Sequence, residues 1–151
     1  MKIIQITISI LILCSVLSCQ NSKKTENKAK ITTIQNFLIK FSENNQLIFE
    51  GILAPNGEEV VISLALDTYE KEKIRGSFYR KKTKKLTDLE GIIEDDASVI
   101  LHQIDGEGNL INVLVGKLKP IDENTVFFEG EMGELGEEQG FEFKLRGKFI
   151  N

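Results

Sequence analysis

From residue 46 onward the chain predicts an all-β fold. It is an eight-stranded antiparallel up-and-down meander closing into a small barrel, with one short N-terminal helix ahead of it. Three observations lead there. Apolar and polar residues alternate with period two, the repeat of a strand with one buried face. Turn-forming residues recur about every dozen positions. One motif, apolar–x–Gly–x–apolar, occurs six times, centred on Gly51, Gly76, Gly91, Gly116, Gly130 and Gly147. Residues two apart on a strand share a face, so each of these glycines sits between two large apolar side chains. Glycine weakens a strand interior unless the sheet must bend sharply there, as barrel corners require. A twisted open sheet or a sandwich is the alternative.

The elements follow in order. Residues 1–18 have a basic start at Lys2, an apolar run from Ile3 to Leu17 and small Ser18. That is the layout of a secretory signal peptide, too short to be a transmembrane helix. Val16-Leu17-Ser18-Cys19 resembles the lipobox of bacterial lipoproteins, although Leu17 departs from the short residue usual at its place. The resemblance implies cleavage before Cys19, diacylglycerol on its sulfur and an acylated new N-terminus, hence membrane attachment through lipid on Cys19. Cys14 follows bulky Leu13 and does not fit the same pattern. Gln20 resembles the sorting preference for the outer membrane of a Gram-negative cell envelope. Residues 19–30 then form a flexible tether, because nothing after Cys19 is larger than alanine among the apolar residues there. In residues 31–44, Ile34, Phe37, Leu38 and Phe41 lie at helical spacing behind Thr32 or Thr33 as N-cap. A strand through Phe37, Ile39 and Phe41 is the alternative.

Residues 45–151 make the barrel domain, with strands expected near 46–54, 58–67, 72–81, 84–94, 97–104, 108–119, 124–132 and 140–150. The remaining glycines mark turns, as in Pro55-Asn56-Gly57 and Asp105-Gly106-Glu107-Gly108-Asn109. Short connections force antiparallel neighbours. The strands from Ile74-Arg-Gly-Ser-Phe-Tyr79 through the Gly91, Gly116 and Gly130 repeats resemble those of small, uncharacterised bacterial lipoproteins with glycine-centred β-meanders. Phe78 stands where that pattern has tyrosine. The resemblance implies an architecture similar to lipocalin-like and avidin-like barrels, and it brings no enzymatic activity or cofactor with it.

In the last strand Phe141, Phe143, Leu145, Gly147 and Phe149 face inward, as do Val60, Ile62, Leu64, Leu66, Val126 and Phe128 by the same phase. So many phenylalanines in a narrow barrel favour a filled core. The same rings lining an apolar ligand cavity is the alternative. Strand six breaks the polar-outside rule. With Leu110, Leu114, Gly116 and Leu118 facing in, Ile111, Val113 and Val115 face out. Strand five adds apolar residues on both phases. Such a patch marks a covered or interacting surface. The helix face carrying Phe37 and Phe41 is expected to cover it, and a homodimer or protein-partner interface is the second reading.

Chemistry is sparse. His102 is the only histidine and has no HxH, HxxxH or cysteine pair beside it. Neither a nucleophile elbow nor a phosphate loop is present. Glu94-Asp95-Asp96 and the acidic stretch from Glu129 to Glu142 lack the spacing of a calcium loop. No catalytic residue and no metal site is therefore expected, nor an enzyme. The chain carries 19 basic and 23 acidic residues, an acidic excess that argues against nucleic acid as a partner. Lys81, Lys82, Lys84 and Lys85, with Arg75 and Arg80, form one basic cluster, which either meets anionic headgroups or keeps a hairpin soluble. Alternate hairpins of a meander share an end, so this tip is expected near the acidic 133–140 loop. The function expected is a membrane-anchored, non-enzymatic binding or interaction module, with a lipocalin-like carrier of a small apolar ligand as the alternative.

Overall fold

The computed structural model describes residues 33–43, 46–54, 57–67, 69–70, 72–134 and 140–150. The signal segment 1–18, Cys19, the tether to 30, residues 31–32 and residue 44 lie outside the described residues. Helix α1 spans 33–43. Eight strands follow: β1 (Leu47–Leu53), β2 (Glu58–Leu66), β3 (Lys73–Arg80), β4 (Lys85–Ile93), β5 (Ser98–Ile104), β6 (Leu110–Pro120), β7 (Thr125–Glu134) and β8 (Phe141–Phe149). Each pairs antiparallel with the next. β8 returns to β1, from Leu47 opposite Phe149 to Leu53 opposite Phe143, and closes the barrel. A closed sheet has no free edge to template further pairing.

The motif glycines sit where neighbouring strands crowd together. A Cβ added to Gly76, Gly91 or Gly130 would overlap the carbonyl oxygen of Ser63, Ile100 or Val115 on the adjacent strand. At Gly116 it would lie 2.8 Å from the edge of the Phe128 ring. Absent side chains therefore let the wall curl onto its own core, the use of glycine that barrel corners demand.

The interior is packed by the inward phase of every strand. Phe49, Phe78 and Phe128 are fully buried, as are Ile62, Leu64, Leu101, Leu114 and Leu145. The Phe128 ring meets Phe143 edge-on at 4.7 Å and Phe49 at 5.7 Å. Edge-on and tilted pairs add favourable quadrupole contact to apolar burial. Leu110 departs from its expected inward place and is 40% exposed. The cause is a register shift between Gln103 and Ile104, which slips the start of β6 relative to β5.

Helix α1 does not cover the β5–β6 face. Phe37 and Phe41 are buried in the same cluster as the strand residues, with ring centroids 5.7 and 6.5 Å from Phe149 at the end of β8. Lys40 donates to the carbonyl of Glu123 and to Asn124 Oδ1 in the β6–β7 turn. The helix therefore plugs one end of the barrel. The barrel end offers apolar side chains from several strands at once, more burial than one row on an outer wall.

Four turn aspartates lock the connections. Asp67 accepts from the backbone N–H of Tyr69 and Glu70, Asp105 from Glu107 and Asn109, and Asp122 from Asn124 and Thr125. Asp96 accepts from the N–H of Ser98 and from the Lys117 ammonium. Such Asx turns substitute a carboxylate for a backbone acceptor. These bonds hold all four carboxyls below the ordinary value, with Lys117 the largest cause at Asp96 and backbone N–H groups at the others.

Candidate interaction face

Two groups of residues stand out from a barrel that is otherwise apolar inside and charged outside. The first lies on the outer wall. Strand register places Ile92 of β4 opposite Ile100 of β5, Ile100 opposite Val115 of β6, and Val115 opposite Glu131 of β7. Ile92, Ile100 and Val115 thus form one apolar row across three strands, with Ile92 41% and Val115 51% exposed. Val113 sits in the next row opposite His102. Ile111 and Val113 are half-buried on the same wall. The alternation of β5 and β6 identifies Ile111, Val113 and Val115 in sequence. Ile92 escapes that reading because its membership depends on which β4 residue lies opposite Ile100.

The second group lines the barrel mouth opposite the helix. Asn112 donates to Gln103 Oε1 at 2.6 Å, Gln103 donates to Thr87 Oγ1 at 2.7 Å, and Thr87 donates to the carbonyl of Phe78. All three side chains are buried. Buried amides and hydroxyls are tolerated only when bonded in this way. Beside them Arg80 pairs with Glu58 across β3 and β2, both side chains less than 20% exposed, and the guanidinium lies 5.2 Å from the Phe78 ring. Sequence reading missed this mouth. Its signal was a polar residue on the apolar phase of three successive strands, at Thr87, Gln103 and Asn112.

The other candidates resolve simply. His102 is exposed on the outer wall, opposite Glu90 and Val113. Among the described residues no group of histidine, cysteine and carboxylate side chains converges as a metal site would. The basic hairpin tip is met by its neighbour strand: Lys81 pairs with Glu59 at 3.3 Å and Arg80 with Glu58. The 133–140 loop expected to offset it falls largely outside the described residues. Clefts of about 560 Å³ run along the outside of β1 and β8, beside Glu50, Arg146 and Lys148, and at the rim between Glu59 and Lys82. Neither is lined by the buried phenylalanines of the interior.

No described helix is long and apolar enough to cross a membrane. No family model matches the chain, and no curated protein matches it. Among solved structures it is similar to a de novo designed fluorescence-activating β-barrel, at 11% identity and a TM-score of 0.48, over 70% of this chain and 92% of that one.

Proposed function

We propose that this chain is an envelope lipoprotein, anchored through Cys19, that acts as a non-enzymatic interaction module through the outer face of β4–β6. The observation that carries the reading is the Ile92–Ile100–Val115 row, left open on a wall whose inward phase is fully packed. Singly exposed apolar residues are ordinary on a protein surface, whereas a contiguous row in register across three strands is the kind of patch that meets a partner. The closed, helix-plugged barrel serves as a rigid mount. From Cys19 to the start of α1 the chain can extend at most about 50 Å, so the module would work close to its membrane. The carrier reading has less support, because the Phe49, Phe78 and Phe128 rings occupy the space an apolar ligand would need.

Photo-crosslinking in the native envelope tests this. A crosslinker in place of Val115 should give a discrete protein adduct, and one in place of Val61, on the opposite side of the barrel, should not. No adduct at 115, or equal adducts at both positions, would refute the face. Cys19→Ser should release the protein into soluble fractions, and its retention on the membrane would refute the anchor.

A further inference from the structure

One end of the barrel holds exposed apolar side chains where the chain from Cys19 joins it. In the closed antiparallel meander the β2–β3, β4–β5 and β6–β7 connections all lie at the end that α1 plugs. Tyr69 of the first connection is 94% exposed, Ile121 of the third 61% and Ile39 of α1 57%. Four strands separate the first connection from the third in either direction, so Tyr69 and Ile121 stand on opposite sides of that end. Ile39 lies two residues from both Phe37 and Phe41, about 200° round the helix, and so points away from the barrel those rings pack into. Both loops are fixed turns. Asp67 Oδ1 accepts from the backbone N–H of Tyr69 at 2.8 Å, and the N–H of Ile121 donates to the Thr125 carbonyl at 2.9 Å. A tyrosine held in water by its own turn forgoes the burial that aromatic rings supply elsewhere. Its amphipathic ring suits the headgroup level of a bilayer.

Resting on the anchor at Cys19, we propose that this end stands on the lipid bilayer, with Tyr69, Ile121 and Ile39 seated among its headgroups and the polar mouth turned away. Chain connectivity selects the bilayer as occupant. The segment from Cys19 joins the barrel at α1, on this end. As the random chain its composition predicts, that segment spans roughly 20 Å on average. Strands of nine residues, tilted as closure requires, make a wall roughly 20–25 Å tall. The plugged end therefore meets the membrane within the ordinary reach of the tether. Leu86 and Leu110, exposed at the mouth, reach it only when the tether is stretched. Because the acyl chains already hold the end at the surface, weak contacts suffice to fix which way the barrel stands. The three connections carry Glu70, Glu72, Glu94, Asp95 and Glu123 among their carboxylates, against Lys71 within them and Lys40, Lys73 and Lys117 beside them. The bilayer that fits is accordingly zwitterionic, and anionic lipid opposes the contact. Standing so, the barrel keeps the Ile92–Ile100–Val115 row on its side wall, clear for a partner.

The chain has no tryptophan, so Tyr69→Trp and Leu86→Trp each report from one place. Both are prepared as full-length lipoproteins in phosphatidylcholine vesicles. Lipid brominated on its acyl chains quenches from the membrane, and acrylamide quenches from water. Brominated lipid should quench Tyr69→Trp at least roughly threefold more than Leu86→Trp, while Leu86→Trp stays open to acrylamide. Adding Ile39→Ser and Ile121→Ser to Tyr69→Trp should cut its lipid quenching by at least roughly half, with vesicle binding unchanged. All four positions are exposed, and an unchanged melting curve verifies the fold. Replacing part of the lipid by phosphatidylglycerol should weaken the quenching, and a strengthening overturns the zwitterionic surface. Equal lipid quenching at the two positions, or more at Leu86→Trp, overturns the orientation and leaves the anchor standing. A Tyr69→Trp signal shielded from acrylamide yet untouched by brominated lipid assigns the end to protein, such as a second copy, and overturns the inference. Failure of the unsubstituted lipoprotein to float with vesicles overturns the anchor beneath it.

Discussion

Replacing Gly91 by alanine tests the account of barrel curvature at a single atom. An ideal Cβ there would overlap the carbonyl oxygen of Ile100 and stand 2.9 Å from both the carbonyl carbon of Ile100 and the Cα of Leu101. All three are backbone atoms of β5, so no side-chain rotation relieves the clash and the two strands must move apart. Elsewhere Gly→Ala stabilises by about 0.4–1 kcal/mol, through lost freedom of the unfolded chain. Overpacking a close-fitted site costs about 1–3 kcal/mol and sometimes more. The net expectation is a loss of about 2 kcal/mol, a fall in Tm on the order of 10 °C for a domain of this size. Gly106 is the internal control, because an added Cβ meets nothing within 4 Å and its φ is not positive. Gly106→Ala should be neutral or slightly stabilising. The chain has no tryptophan, so urea and thermal unfolding are followed by far-ultraviolet circular dichroism. If Gly91→Ala and Gly106→Ala melt together, the strand glycines are incidental and the curvature argument fails.

Three further outcomes are expected. Phe41→Ala empties a fully buried site in the plug and should cost about 3–5 kcal/mol in urea unfolding, whereas a loss under about 1 kcal/mol would mean the helix only rests on the barrel. Gln103→Met strands the Asn112 amide and removes the donor to Thr87 Oγ1, which keeps its own bond to the Phe78 carbonyl, and should cost about 2 kcal/mol. Adding Thr87→Val and Asn112→Leu should recover part of that loss, and a triple variant less stable than the single one would contradict the network's role. The depressed carboxyls of Asp67, Asp96, Asp105, Asp122 and Glu129 contribute stability that is fully present above the ordinary carboxylate range. That contribution is lost as pH falls through their lower folded-state values. Tm should therefore hold level from about pH 7 to 5 and fall only below about pH 4; a decline already complete at pH 5 would contradict it.

Strand positions and the inward phase were legible because period-two alternation is a local property. Phe141, Phe143, Leu145 and Phe149 carry it within one strand, and the glycine motif repeats it across six. Placement of the helix was not legible. The spacing of Ile34, Phe37, Leu38 and Phe41 identifies an apolar face, but nothing local distinguishes an open wall from an open barrel end as its destination. Leu110 misled for a related reason, since phase counted along β6 assumes that β5 pairs without a shift at Gln103. The polar mouth required knowing that Thr87, Gln103 and Asn112, spread over more than twenty residues, come within hydrogen-bond distance.

The central claim is a filled barrel that works from its outer wall. Native mass spectrometry of the full chain, taken without denaturation from its own host's envelope, addresses it most directly. The account predicts that, apart from its lipid anchor, the chain carries no stoichiometric small-molecule adduct. A single small species held one to one and released only on unfolding would place a ligand inside, and the outer-face account would be wrong.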